Sequence, residues 1–236
     1  MFRLKAITPL TLPAEELARR QLRYDRLAAG RLAVALVNLP PDAPPRLDTP
    51  DDIEASAGYV GREIERTSPE EFDGILPDCV LDPCVGELGA SPVPLFGILR
   101  LAAGTIAGLG VAFAAVTRNE AIGNELARKL GVYGMSGRLD RVHRLEADFC
   151  LVADGEGWAA ALAPVVAATA AADVPVLLNG CSAVDLGPDA HPRVRVVDPT
   201  ALALDVLAVC VTTSLAPTGG PARGTAPPAG GRGPGE

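Results

Sequence analysis

The chain reads as an α/β protein built around parallel sheets. Short apolar runs alternate along it with longer runs rich in Ala, Leu, Glu and Arg, the pattern of strands that cross over through helices. With 236 residues, 48% of them hydrophobic and 21% charged, there is enough chain to bury a sizeable core in one or two domains. The apolar runs also echo one another: one strand ends at Cys79 in the first half and another at Cys181 in the second.

Strands are expected over residues 3–8, 32–38, 73–77, 111–117, 141–145, 174–178 and 194–197. Helices are expected over residues 13–28, 50–65, 83–89, 96–107, 119–130, 156–172 and 200–212. Two helix starts carry capping chemistry. Asp82-Pro83 and Asp198-Pro199-Thr200 each set an acceptor before a proline, which suits the first helical position. Residues 40–50, rich in Pro and Asp, must form a loop, read as a surface crossing in preference to a cover over a cleft. Residues 216–236 are largely Gly, Pro, Ala, Thr and Arg and bury too little apolar surface to offset their ordering entropy, so they are expected to be disordered.

Composition excludes several classes of function. A net charge of −8 and the lack of a basic patch argue against a nucleic-acid partner, and 4% aromatic residues supply few stacking platforms. No apolar stretch reaches the roughly 18 residues of a membrane span, so no membrane association is expected. Residues 1–5 show no secretory pattern, and a cytoplasmic location is the expectation. Cys79 and Cys84 lack a second metal-binding pair, and His143 and His191 stand in unrelated segments, so a zinc site is not expected. There is no Gly-x-Ser-x-Gly elbow for serine hydrolysis, and Gly108-Leu109-Gly110 precedes a strand where a dinucleotide fingerprint would join a strand to a helix.

Five cysteines without regular spacing point to free thiols. An isolated free cysteine is most often a small core residue, and Cys84, Cys150 and Cys210 are read that way. Cys79 and Cys181 differ in context. Each ends an apolar strand, Ile75-Leu76-Pro77-Asp78-Cys79 and Val176-Leu177-Leu178-Asn179-Gly180-Cys181, where ligands gather in open α/β sheets. Nearby helix N-termini would favour thiolate at both.

The ordered set of motifs resembles the Asp/Glu/hydantoin racemase superfamily. Cys79-Val80-Leu81-Asp82-Pro83, then Pro92-Val93-Pro94-Leu95-Phe96-Gly97-Ile98, Phe113-Ala114-Ala115-Val116-Thr117, Asn179-Gly180-Cys181-Ser182 and Val196-Val197-Asp198-Pro199 follow the family's order over about residues 3–212. Asp52-Ile53-Glu54-Ala55-Ser56 is similar to a stretch of the hydantoin racemase branch. The resemblance implies two pseudosymmetric, flavodoxin-like domains with parallel sheets and an active site in the cleft between them. The first domain would span residues 1–97 with about 199–215, and the second 98–198. Two departures stand out. Thr8-Pro9-Leu10-Thr11 replaces the family's Asn-Pro-Asn-Thr, and Cys181-Ser182-Ala183-Val184 replaces Cys followed by Ala or Thr and then Gly.

What the resemblance implies about function is a cofactor-independent racemase or epimerase acting beside a carbonyl of a small substrate, a 5-substituted hydantoin or an amino-acid-like compound. Such a reaction removes a proton from one face and returns one to the other, so Cys79 and Cys181 would serve as thiolate and thiol in turn. Substrate contacts are expected from Thr8, Thr11, Thr117 and Ser182 and from the backbone around Val80 and Gly180; each hydroxyl also has a plain reading as a cap or turn residue. Two alternatives stay open: an arylmalonate-type decarboxylase or maleate-type cis-trans isomerase of the same superfamily, and a non-catalytic binding relative. The oligomeric state, a homo-oligomer included, is not legible.

Overall fold

The computed structural model describes residues 1–186 and 191–216. The disorder expected from residue 217 onward lies outside them. Seven strands and six α-helices alternate among the described residues: β1 (Arg3–Ile7), α1 (Ala14–Ala28), β2 (Ala33–Val37), α2 (Pro50–Glu65), β3 (Gly74–Pro77), α3 (Ile98–Gly108), β4 (Phe113–Thr117), α4 (Glu120–Val132), β5 (Leu139–Arg144), α5 (Gly155–Ala171), β6 (Val176–Asn179), β7 (Arg195–Val197) and α6 (Pro199–Thr212). No described helix is long and apolar enough to cross a membrane.

The strands form two sheets, of order β2-β1-β3 and β5-β4-β6-β7, and every pairing is parallel. Residues 94–96 run beside β3, with Ile75 N–H donating to the Pro94 carbonyl (2.9 Å) and Phe96 N–H to the Ile75 carbonyl (2.8 Å). Both halves therefore follow one plan: second, first, third and fourth segment across the sheet. The halves then trade helices. α3 follows residues 94–96, yet Leu99, Ala102 and Ala103 pack with Phe113 and Ala115 of the second sheet. α6 follows β7, yet Ala203, Leu204 and Leu207 pack with Leu4 and Ala6 of the first sheet. The two helices also pack on each other.

The helix expected over residues 83–89 does not form. Asp82, Cys84 and Gly86 have φ of 48°, 68° and 78°, left-handed values that a right-handed helix cannot hold, and the segment is a run of turns. Asp82 does cap a helix, but a distant one. Its carboxylate accepts from Leu99 N–H (3.0 Å) and Arg100 N–H (2.8 Å) at the start of α3, where the N-cap position is Gly97 and offers no side chain. A Cβ on Gly97 would run into the Asp82 carboxylate and displace it from this cap. Asp198 caps α6 as expected, accepting from Thr200 N–H (2.9 Å) and Ala201 N–H (3.1 Å). Short 3-10 turns at Ser136–Arg138 and Phe149–Ala153 were not foreseen.

In each sheet the chain turns back on itself between the first and third strands. Ligands gather outside the carboxyl ends of strands at such a switch point. The carboxyl ends of β1 and β3 face those of β4 and β6 across the space between the sheets, and four short segments leave the strands there: 8–12, 78–82, 118–119 and 180–184.

Candidate active site

Cys79 and Cys181 line one cavity of about 60 Å³, which also receives Pro9 and Leu10 after β1 and Arg118 after β4. Such a volume has room for a few waters. The two cysteine segments are anchored by the same bond: Asp78 N–H donates to the Ile7 carbonyl (2.7 Å) and Gly180 N–H to the Val116 carbonyl (2.7 Å). At Gly180 the strands approach so closely that a Cβ would lie 2.4 Å from the Val116 oxygen.

Burial pushes the Cys79 thiol up to about 12, and the charges of Asp78, Asp82 and Cys181 add to the rise, while the Leu81 N–H opposes it. Burial also raises Cys181, opposed by the Ala183 N–H and by the cations Arg20 and Arg23. No helix begins directly after either cysteine; the helix N-terminus at the cavity is that of α4, whose first turn brings Ile122 to its wall. The stabilising groups are instead one backbone N–H two residues on, at each sulfur, and the α1 arginines beside Cys181. Negative charge on Cys181 raises the pKa of Cys79, so the two sulfurs disfavour being thiolates at the same time.

Asp78 ties the two segments together. Its carboxylate pairs with Arg20 (3.2 Å) and accepts from the Tyr24 hydroxyl (2.8 Å), and its carbonyl accepts from the Ser182 hydroxyl (3.1 Å). The residue before Cys79 thus holds the residue after Cys181. Thr200 adds a second tie, its hydroxyl donating to the Ser182 carbonyl (3.1 Å). On the outer side Arg23 donates to the Val184 carbonyl (3.0 Å) and pairs with Asp185 and Asp198.

Of the expected substrate contacts, Val80, Gly180 and Ser182 line the cavity, and Thr8, Thr11 and Thr117 do not. Thr8 and Thr117 occupy equivalent places at the carboxyl ends of β1 and β4 and make the same bond: each hydroxyl donates to the carbonyl two residues on, Leu10 (2.7 Å) and Asn119 (3.1 Å). Thr11 donates its N–H to the Pro44 carbonyl (3.2 Å) and so holds the 40–50 loop. That loop is a cover after all. Leu47 is buried and lines the cavity, and its carbonyl is held by Arg118 (2.7 Å) and Asn119 (3.0 Å).

Sequence reasoning missed Arg20, Arg118, Leu47 and Phe149, all of which line the cavity. Arg20 sits in a helix where Glu16, Arg19 and Arg23 read as a solvated charged face, and nothing in the spacing marks it as buried. The core reading of the other cysteines is also revised. Cys150 is exposed at the 3-10 turn, Cys210 is half-buried on α6, and Cys84 is half-buried with its thiol donating to the Ala57 carbonyl (3.3 Å).

The sequence matches the Asp/Glu/hydantoin racemase family over residues 20–207. No curated protein matches it. Among solved structures, an allantoin racemase from Pseudomonas fluorescens superposes with a TM-score of 0.74 at 19% identity, over 99% of this chain and 100% of that one. An allantoin racemase from Klebsiella pneumoniae gives 0.73 at 20% identity, over 92% of this chain and 90% of that one. A maleate cis-trans isomerase from Nocardia farcinica gives 0.57 at 16% identity, over 93% and 96%.

Proposed function

Because the chain belongs to the Asp/Glu/hydantoin racemase family and is therefore an isomerase of the racemase type, we propose that it works by a two-base, cofactor-independent mechanism on a small carbonyl compound, with Cys79 and Cys181 as the bases. One observation carries the mechanism: both thiols line a single cavity, and each accepts a backbone N–H that favours its thiolate.

In each turnover one thiolate takes the proton from the carbon beside the carbonyl, leaving a planar enolate-like species. The opposite thiol gives its own proton to the other face and becomes the thiolate. The pair ends with its roles exchanged, ready for the reverse reaction. General acid-base transfer contributes roughly a hundred- to ten-thousandfold, so the developing oxyanion needs donors as well. The backbone around Val80, Gly180 and Ser182 borders the space where that oxygen would lie.

A 5-substituted hydantoin or related cyclic ureide is the proposed substrate class, supported by the likeness to two allantoin racemases. The test is to follow optical rotation of single enantiomers of such compounds with the wild type and with Cys79→Ala and Cys181→Ala. Loss of racemisation in both variants supports the mechanism, and full activity in either overturns it. Turnover of maleate, or carbon dioxide release from a disubstituted malonate, in place of racemisation would overturn the reaction type.

A further inference from the structure

The hydroxyls nearest the cavity are already engaged: Thr8, Thr117 and Ser182 all donate to backbone carbonyls. The cations lining it are Arg20 and Arg118. They are not equivalent. Arg20 is neutralised twice, by Glu16 (2.7 Å) and Asp78 (3.2 Å). Arg118, 5% exposed, pairs among the described residues only with Asp48, and that carboxylate is shared with Arg46 (3.0 Å) and is 34% exposed. The Arg118 guanidinium spends Nη2 on Asp48 and the Leu47 carbonyl and Nη1 on the Ala147 carbonyl (3.2 Å), while Nε has no partner among the described residues. Leu47, Ile122 and Phe149 give the same cavity an apolar wall, and the Phe149 ring centre lies 5.6 Å from the Arg118 Cζ.

A guanidinium beside an apolar cavity wall, with N–H groups unspent and its charge incompletely matched, is suited to receive a carboxylate. We infer that Arg118 is a specificity-determining residue that binds a carboxylate on the substrate, so that the preferred substrate combines a planar carbonyl ring with an anionic side group. This rests on the two-base reading of the same cavity. Arg118 moves no proton in it.

A purely structural part for Arg118, as the tie that holds Leu47, makes a different prediction. Loosening the loop would slow every substrate alike, whereas losing an anion anchor changes the ratio between charged and neutral substrates. Solvent-deuterium exchange at ring C5 is therefore compared for 5-carboxymethylhydantoin and neutral 5-methylhydantoin, using wild type, Arg118→Lys and Arg118→Met with folding checked by circular dichroism. The wild type is expected to prefer the carboxylated compound by about tenfold or more in kcat/KM, since a site built to bind a polar group rejects the analogue lacking it. Arg118→Met is expected to erase that preference through KM, and Arg118→Lys to keep part of it. An equal fall for both compounds in Arg118→Met, or no preference in the wild type, overturns the inference.

If the wild type exchanges neither compound, the two-base reading fails and the anchor is judged by binding. Protection of Cys181 from iodoacetamide by 5-carboxymethylhydantoin, in the wild type but not in Arg118→Met, supports it. Equal protection in both, or none, overturns it.

Discussion

A thiol buried as Cys79 is holds its proton at neutral pH. With both thiols raised by burial, the thiolate fraction is small near pH 7 and grows as pH rises. kcat/KM for racemisation is accordingly expected to climb through the neutral and mildly alkaline range, by up to about tenfold per pH unit. Arg20→Gln, which removes a cation favouring the Cys181 thiolate, should displace that climb to higher pH; an unchanged profile would show that Arg20 does not set the charge of Cys181. Stability follows the opposite sign. The Cys79 pKa is raised on folding from 9.0 to about 12, so the contribution is intact below 9.0 and is lost as pH rises toward 12, where the unfolded chain ionises first. Denaturant titrations from pH 8 to 11 should show a shallower alkaline loss for Cys79→Ser than for the wild type. The two cysteines were legible because each closes an apolar strand within an ordered set of motifs. Arg20 and Arg118 were not, because an arginine among charged helix residues, or just after a strand, looks the same in sequence whether it meets water or a cavity.

At the scale of elements, α3 depends on a residue it does not contain. Asp82 supplies the acceptor for two N–H groups that Gly97 cannot serve, and it also accepts from the Tyr133 hydroxyl (3.0 Å). Asp82→Ala should lower stability by about 1–3 kcal/mol, the scale of a lost cap and a buried donor left unpaired, read as a fall in the urea midpoint. The Asp-Pro step was correctly read as capping chemistry and assigned to the wrong helix. Local pattern predicts a helix directly after the cap, whereas the left-handed turns at Asp82, Cys84 and Gly86 carry the chain away and leave the carboxylate to a helix that starts at Ile98. Gly180→Ala tests the other tight junction. Its Cβ would press on the Val116 carbonyl, which must move the Cys181 segment, so racemase activity should fall even in preparations whose circular dichroism is unchanged.

The molecule as a whole consists of halves that repeat one strand order and exchange their last helices. α3 finishes the first half and covers the second sheet; α6 finishes the second half and covers the first. Neither sheet is covered by its own half alone, so heat or denaturant should unfold both in a single transition. Trp158, wholly buried beside β4 and β6, reports the second half, and iodoacetamide labelling of Cys79 reports the first. The two curves should coincide, and a separation would show that the halves unfold independently. The alternation of strands and helices, and the echo between the cysteine segments, were visible in sequence. The fourth segment of the first sheet was not, because residues 94–96 touch β3 through one bridge and lie among Pro92 and Pro94, which read as loop.

The central claim, that two thiols act from opposite faces of one substrate, is tested most directly by deuterium exchange on separate enantiomers. In D2O, the wild type should place deuterium at the stereocentre of both enantiomers and interconvert them. Cys79→Ala and Cys181→Ala should each abolish interconversion, and any exchange left in a single variant should be confined to one enantiomer, the opposite one in each case. Interconversion that survives in either variant would contradict the account.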